Sequence, residues 1–186
     1  MDKLPQNAAL ILIDIQQGMD DPKWGPRNNP AAEANAAALL EAWRNSQRPV
    51  IHVQHSSRHP RSPLHASHPG HQMKEIVAPR PTETLFTKQE NSAFIGTELE
   101  AHLRGNGIST LVLCGLTTQH CVSTTVRMAG NLGFTCYVAG DAVAAFAAKD
   151  HRGKEYDADT VHAVSLATLH EEFATVTETK EILDAA

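Results

Sequence analysis

Short runs of apolar residues alternate along the chain with segments of helical periodicity. Continuous aliphatic or β-branched runs are typical of strands buried on both faces of a sheet. They occupy residues 8–14, 50–55, 109–115 and 134–142, with weaker runs at 85–88 and 173–176. The segments between and after them predict helices over 30–47, 95–105, 121–132, 157–170 and 178–185.

This alternation predicts an α/β fold with a doubly wound, open parallel sheet and helices on both faces, because the crossover of a strand–helix–strand unit is right-handed. Active sites of such sheets lie outside the carboxyl ends of the strands. That rule directs attention to Asp14, Lys88, the loop after Cys114, and Asp141. Residues 56–83 contain five prolines and four histidines with little periodicity. A loop of this length in a compact domain is usually functional or disordered, so it is a candidate lid or pocket wall.

Composition limits the possible functions. The length of 186 residues predicts a single domain over 1–186. A net charge of −5 leaves no basic surplus for binding nucleic acid. We expect no membrane segment and no secretory signal, because the apolar runs are short and the first contains an aspartate. Three cysteines without a CxxC pair argue against a disulfide framework and favour a reducing cytoplasm.

Cys121 is the candidate nucleophile. It follows a predicted strand and the polar turn GLTTQH, and it opens a predicted helix. Unpaired amides and the helix dipole at such a position favour a thiolate, and the amides near Thr117 and Cys121 could stabilise an oxyanion. Cys114 and Cys136 lie on predicted strands and are assigned to the core. A pairing of Cys121 with the adjacent His120 is disfavoured, because neighbouring residues at a helix start point in different directions.

Asp14 and Lys88 complete a candidate triad with Cys121. Asp14 ends the run LILID, where a carboxylate needs a partner, and Lys88 closes a weak strand before a polar turn. Asp14 would take the thiol proton and later deliver it to a leaving group, while Lys88 favours the thiolate by its charge. The ordinary pKa values of about 3.9 and 8.5 differ, so the environment must shift one of them.

The three segments resemble one family. LILIDIQQGM, TKQENSAF and CGLTTQHCVSTTVRMAGNLGF, in this order, are similar to the motifs of the isochorismatase-like cysteine hydrolases, a family that includes nicotinamidases and several amidases. The resemblance covers nearly the whole chain. It implies a six-stranded parallel sheet in the order 3-2-1-4-5-6, a cis peptide between Leu116 and Thr117, and the triad Asp14, Lys88 and Cys121. It also implies a homo-oligomer, a dimer or tetramer.

Departures from the family narrow the implied activity. Isochorismatases cleave a vinyl ether and lack the cysteine, so Cys121 favours amide-type C–N bonds. Nicotinamidases carry an Asp-x-His metal motif after the second strand, where this chain has VQHSSRH, so no metal is expected at that place. The segments DDPKWGPRNNPAAEAN and VHAVSLATLHEEFATV are most similar to a subgroup that includes streptothricin hydrolases.

The resulting hypothesis is a cytoplasmic amidohydrolase that acts on a small molecule without a cofactor, through an acyl-cysteine. The candidate substrate-binding residues are Gln16, Trp24, His55, Phe94, Leu116 and Thr118. Two alternatives stay open. One is vinyl-ether hydrolysis with Asp14 as general acid. The other is a non-catalytic domain that binds a metal or a partner, through His65, His68 and His71 in the long loop, or that senses redox state through Cys121.

Overall fold

The computed structural model describes residues 2–186 and contains one six-stranded, all-parallel sheet. Its strands are β1 (Ala9–Ile13), β2 (Val50–His55), β3 (Thr84–Lys88), β4 (Thr110–Leu116), β5 (Thr135–Ala144) and β8 (Thr175–Thr177). They lie in the order β3-β2-β1-β4-β5-β8, in which β8 is the sixth strand of the sheet along the chain. A short antiparallel hairpin, β6 (Ala148–Lys149) and β7 (Glu155–Tyr156), lies between β5 and β8. The predicted fold class and strand order are therefore confirmed.

Five α-helices connect or follow the strands. They are α1 (Ala32–Asn45), α2 (Leu99–Gly105), α3 (Ser123–Asn131), α4 (Ala158–Ala167) and α5 (Thr179–Ala185). Among residues 2–186 no helix has the length and apolarity needed to cross a bilayer. The helix predicted from 30 begins at Ala32, and two further predicted starts were also too early. The helix predicted from 95 begins at Leu99 because Gly96, at φ +69°, interrupts it. The helix predicted from 121 begins at Ser123, after a π-helical turn over Thr118–Val122.

The core has two layers, one on each face of the sheet. Alternate residues of β1 divide between them: Ile11 and Ile13 pack with α2 and α3, and Leu10 and Leu12 pack with α1 and α5. This division follows from the two-residue period of a strand whose two faces are both covered. Trp43 of α1 is fully buried, and its indole N–H donates to the carbonyl of Ala8 at 2.9 Å.

The long loop over 56–83 is fixed against the segment that follows β1. Its two short 3-10 turns are Pro69–His71 and Glu75–Val77. The backbones of the two segments meet at Gly18 and Gly70, where a Cβ on Gly70 would lie 2.7 Å from Gly18 Cα. Only glycine permits so close an approach. The loop therefore forms a wall beside the ends of β1 and β2.

Gly115 is a second position where the backbone requires glycine. It has φ +123°, and an added Cβ would lie 2.1 Å from the Ile13 carbonyl oxygen on the neighbouring strand. The pairing of β4 with β5 shifts register between Leu113 and Gly115. Gly115 thus allows β1 and β4 to stay close where each strand approaches its carboxyl end.

We expect Gly115→Ala to lower the free energy of unfolding by at least about 2 kcal/mol. The positive φ of this position strains the alanine backbone, and the added methyl group collides with β1. Gly105→Ala is the control: Gly105 ends α2 and has open space around it, so alanine there should be neutral or stabilise by up to about 1 kcal/mol. Urea unfolding of both variants measures the difference. Equal midpoints would contradict the assignment.

Candidate active site

Asp14 lies just beyond β1, at the carboxyl edge of the sheet. Its backbone adopts the left-handed conformation, with φ +51°, and its N–H donates to Val53 O at 2.9 Å. Aspartate tolerates this conformation better than most residues. The side chain is fully buried, and its Oδ2 accepts from Lys88 at 2.6 Å. Within residues 2–186, Asp14 Oδ1 has no hydrogen-bond partner.

Lys88 ends β3, and its side chain is completely buried. The ammonium is surrounded by three acceptors. Nζ donates to Asp14 Oδ2 at 2.6 Å and to Cys121 Sγ at 3.3 Å, and it lies 3.2 Å from Nδ1 of His55. An ammonium has three N–H donors, so these groups use all of them. His55 pairs with Lys88 in the register of β2 and β3.

Cys121 lies in the π-helical turn after β4 and is 8% exposed. The turn forms because the Thr117 carbonyl accepts from the N–H of both His120, at 3.1 Å, and Val122, at 3.2 Å. The peptide bond between Leu116 and Thr117 is cis. The sequence had predicted that Cys121 opens a helix. In the structure Cys121 instead lies two residues before the start of α3.

The protonation of Cys121 also differs from the expectation. Burial, together with the neighbouring Asp14 carboxylate, raises the pKa of the Cys121 thiol to about 12, and Lys88 offsets this only in part. Burial and the Asp14 carboxylate thus oppose the thiolate that a helix N-terminus would favour. Cys114 and Cys136, both buried as predicted, also have thiol pKa values raised to about 12 by burial.

Burial also raises the pKa of Asp14, although Lys88 opposes the shift. The cluster thus contains one cation and two acids that both resist ionisation. One negative charge balances the ammonium, and it can reside on the carboxylate or on the sulfur. Moving the proton from Cys121 to Asp14 leaves the net charge of the cluster unchanged, so it avoids the cost of creating a second buried charge.

A cavity of about 400 Å³ opens in front of Cys121. Asp14, His55, Thr117 and Cys121 line its inner end. The remaining lining residues come from five segments of the chain and are Met19, Trp24, Leu64, Asn91, Gln119, His120, Phe146, Ala147 and Ala148. Leu64 belongs to the long loop, which therefore serves as a pocket wall.

Of the six candidate substrate-binding residues, Trp24 and His55 line this cavity. The other four do not, and their contacts explain why. The Gln16 amide donates to the carbonyls of His55 and His71, joining β2 to the long loop. The remaining three face the core or another helix. Phe94 stacks on Phe134, Leu116 packs in a buried cluster with Leu64 and Met19, and the Thr118 hydroxyl lies 3.0 Å from His162 Nδ1.

Sequence reasoning missed Asn91 and Phe146. Asn91 Oδ1 lies 3.9 Å from Cys121 Sγ, and a position three residues after Lys88 within the quoted motif TKQENSAF was a usable signal. Phe146 follows β5 and stacks on Trp24 with 6.2 Å between ring centroids. It had no signal in the chain, because its contact depends on how two distant loops meet.

Asp14, His55 and Cys121 are a possible metal-binding group, since their ligand atoms lie within 4.8 Å of one another. The Lys88 ammonium contacts all three and so occupies the position that a cation would take. His65, His68 and His71 form no such group within residues 2–186. Instead, Nδ1 of His65 accepts from Ser67 N–H and Nδ1 of His68 accepts from Gly70 N–H, within their own loop.

Comparisons with known proteins agree with this arrangement. Residues 8–181 match the isochorismatase domain model. The isochorismatase family protein YrdC of Bacillus subtilis is 50% identical over 181 residues, which is 97% of each chain. The maleamate amidohydrolase of Pseudomonas putida is 29% identical over 172 residues, covering 83% of this chain and 80% of its own.

The fold of this chain also matches a solved structure of the same family. An isochorismatase-family crystal structure from Chromobacterium violaceum superposes with a TM-score of 0.96 at 49% identity, covering 100% of this chain and 96% of that one. The match spans the sheet, its helices and the segments that carry Asp14, Lys88 and Cys121. The chain therefore belongs to the isochorismatase family of hydrolases.

Proposed function

We propose that this hydrolase cleaves a C–N amide-type bond of a small molecule through an acyl-cysteine intermediate formed on Cys121. The observation that carries the proposal is the placement of the Lys88 ammonium, 2.6 Å from Asp14 Oδ2 and 3.3 Å from Cys121 Sγ. A buried cation between an acid and a thiol allows the proton to pass from sulfur to carboxylate at constant net charge.

In the first half of the reaction, Asp14 takes the thiol proton and Cys121 Sγ attacks the amide carbonyl carbon. Asp14 Oδ1 is the oxygen left free for this proton, because Lys88 binds Oδ2. The oxyanion is stabilised by the backbone amides of Thr117 and Cys121. When the C–N bond breaks, Asp14 delivers its proton to the nitrogen, and ammonia or an amine leaves.

In the second half, a water molecule attacks the thioester carbonyl and gives its proton to Asp14. The C–S bond breaks and the carboxylic acid product forms. The sulfur then recovers the proton, and the cluster returns to its resting charge. The Lys88 ammonium stabilises whichever of the two partners carries the negative charge. The only co-substrate is water.

We expect Cys121→Ala to reduce amide hydrolysis by at least about a thousandfold, because the nucleophile is lost. The measurement is ammonia release from a panel of small primary amides, maleamate included. Cys136→Ala is the matched control, since it removes a buried thiol on β5 outside the cavity. Hydrolysis that survives in Cys121→Ala but disappears in Asp14→Ala would instead favour acid catalysis of the vinyl-ether type.

Asp14→Asn and Lys88→Met should shift the reactivity of Cys121 in opposite directions. Removing the carboxylate charge lowers the thiol pKa, and removing the ammonium raises it further. Alkylation by iodoacetamide near neutral pH should therefore accelerate in Asp14→Asn, by about tenfold for each unit that the pKa falls, and slow in Lys88→Met.

Both variants should nevertheless lose hydrolysis. Asp14→Asn lacks the group that carries the proton, and Lys88→Met lacks the positive charge that balances the negative charge of the cluster. Peptide mass spectrometry resolves Cys121 from Cys114 and Cys136, which serve as internal references. Alkylation of Cys121 at the same rate in Asp14→Asn and wild type would contradict the coupling of the two groups.

We also propose a homo-oligomer in the cytoplasm, as the family resemblance implies. One exposed feature is in keeping with assembly: α4 has an apolar sequence, ADTVHAVSLA, yet Val164 is 59% exposed. Light scattering checks this proposal, and a particle of the monomer mass would contradict it.

A further inference from the structure

We propose that the cavity selects uncharged amides with an apolar acyl group and rejects amides that carry a carboxylate. This inference rests on the proposed function, because it names the substrate class for the same site. Three independent features of the cavity support it: the apolar character of its outer wall, the absence of Lys and Arg from its lining within residues 2–186, and a hydrogen-bond acceptor without a partner.

The outer wall of the cavity is apolar. Met19, Trp24, Leu64 and Phe146 form it, with Ala147 and Ala148 at the mouth. Trp24 is held in place by its indole N–H, which donates to Gly18 O at 2.8 Å, and by stacking on Phe146. An aliphatic or aromatic acyl group can bury its surface against these side chains, whereas a carboxylate placed there would lose its hydration without a partner.

No Arg or Lys lines this cavity in residues 2–186. Of the cations near it, Lys88 binds Asp14, Lys74 binds Asp20 and Glu33, and Arg27 forms a paired contact with Glu33. Lys23 is exposed and lies 4.4 Å from the Trp24 ring centroid, outside the lining. The imidazole of His55 does not replace them, because burial and the adjacent Lys88 lower its pKa. The other imidazole of the lining, His120, is exposed to solvent, which screens a contact with it. A carboxylate would therefore find polar neighbours but no buried opposite charge.

The lining offers an acceptor that has no donor. Gln119 Oε1 is a buried atom without a hydrogen-bond partner in the described chain. The N–H groups of a carboxamide can donate to it, whereas a carboxylate oxygen cannot and would repel it. The cavity is thus suited to the amide end of a substrate.

A second cleft of about 570 Å³ adjoins the cavity and shares Trp24, Ala147 and Ala148 with it. Its lining includes one cation, Lys149, whose ammonium is already 2.8 Å from Glu155 on the same hairpin. Asp157 in the same lining accepts from Thr160 N–H at the start of α4. The acidic groups of this cleft also disfavour an anionic substituent that extends beyond Trp24.

The test compares three amides of similar length. Isocaproamide is uncharged, succinamate replaces its isopropyl group with a carboxylate, and γ-aminobutyramide ends in an ammonium. Their binding is measured by calorimetry on Cys121→Ala, in which the chemical step cannot interfere, and their hydrolysis is measured on the wild type. We expect isocaproamide to bind, and to be hydrolysed, at least about tenfold better than succinamate.

A charge added at the mouth should change this preference. Ala148 is exposed and borders both the cavity and the second cleft. Ala148→Arg should therefore improve binding of succinamate relative to isocaproamide by about tenfold, the range of a charge-assisted hydrogen bond. Ala148→Gln adds comparable bulk without charge and should leave the ratio unchanged.

The outcomes separate this inference from the proposed function. Succinamate binding as tightly as isocaproamide, or γ-aminobutyramide binding better than both, overturns the inference, as does the failure of all three to bind. Selective binding of isocaproamide to Cys121→Ala without hydrolysis by the wild type supports the inference and overturns the acyl-cysteine mechanism.

Discussion

The contact of Lys88 with Asp14 and Cys121 is the constraint on which the rest of the site depends. Removing an ammonium completely from water is expensive unless its charge is balanced and each N–H finds an acceptor. Here the carboxylate balances the charge, and the sulfur and a neutral imidazole accept the remaining protons. The fold provides this arrangement because Asp14 follows β1, His55 ends β2 and Lys88 ends β3, three adjacent strands. Cys121 comes from the turn after β4, the strand on the other side of β1.

The raised pKa of the thiol changes the view of how the site works. Cys121 is not a permanently ionised nucleophile, since burial and Asp14 both favour its protonated form. In the proposed mechanism its reactivity depends on Asp14, a proton acceptor that is itself buried and whose pKa burial also raises. Burial raises the pKa of Asp14 and so makes its carboxylate a better acceptor for the thiol proton than an ordinary aspartate, although Lys88 opposes the shift.

Much of the fold could be predicted from the sequence because its signals are local. Uninterrupted aliphatic runs identified β1, β4 and β5, and the rule for carboxyl ends of strands identified Asp14 and Lys88. What could not be predicted depends on the hydrogen bonds of one turn and on contacts between distant segments. The π-helical turn moved Cys121 away from the helix start, and Phe94, a plausible pocket residue by its place in a motif, stacks on Phe134 in the core. The partners of Trp24 and Leu64 also come from elsewhere in the chain.

The close approach of Gly18 and Gly70 has a consequence for how this enzyme can diverge. Because the two backbones touch there, the segment after β1 and the long loop form a single unit, and neither can be exchanged with that of a relative without the other. The proposed reacting groups, by contrast, lie at strand ends and in the turn after β4, which this contact does not include. New specificities are therefore easier to obtain by changing side chains that line the cavity than by transplanting a loop, and the proposed catalytic cluster can remain unaltered while they arise.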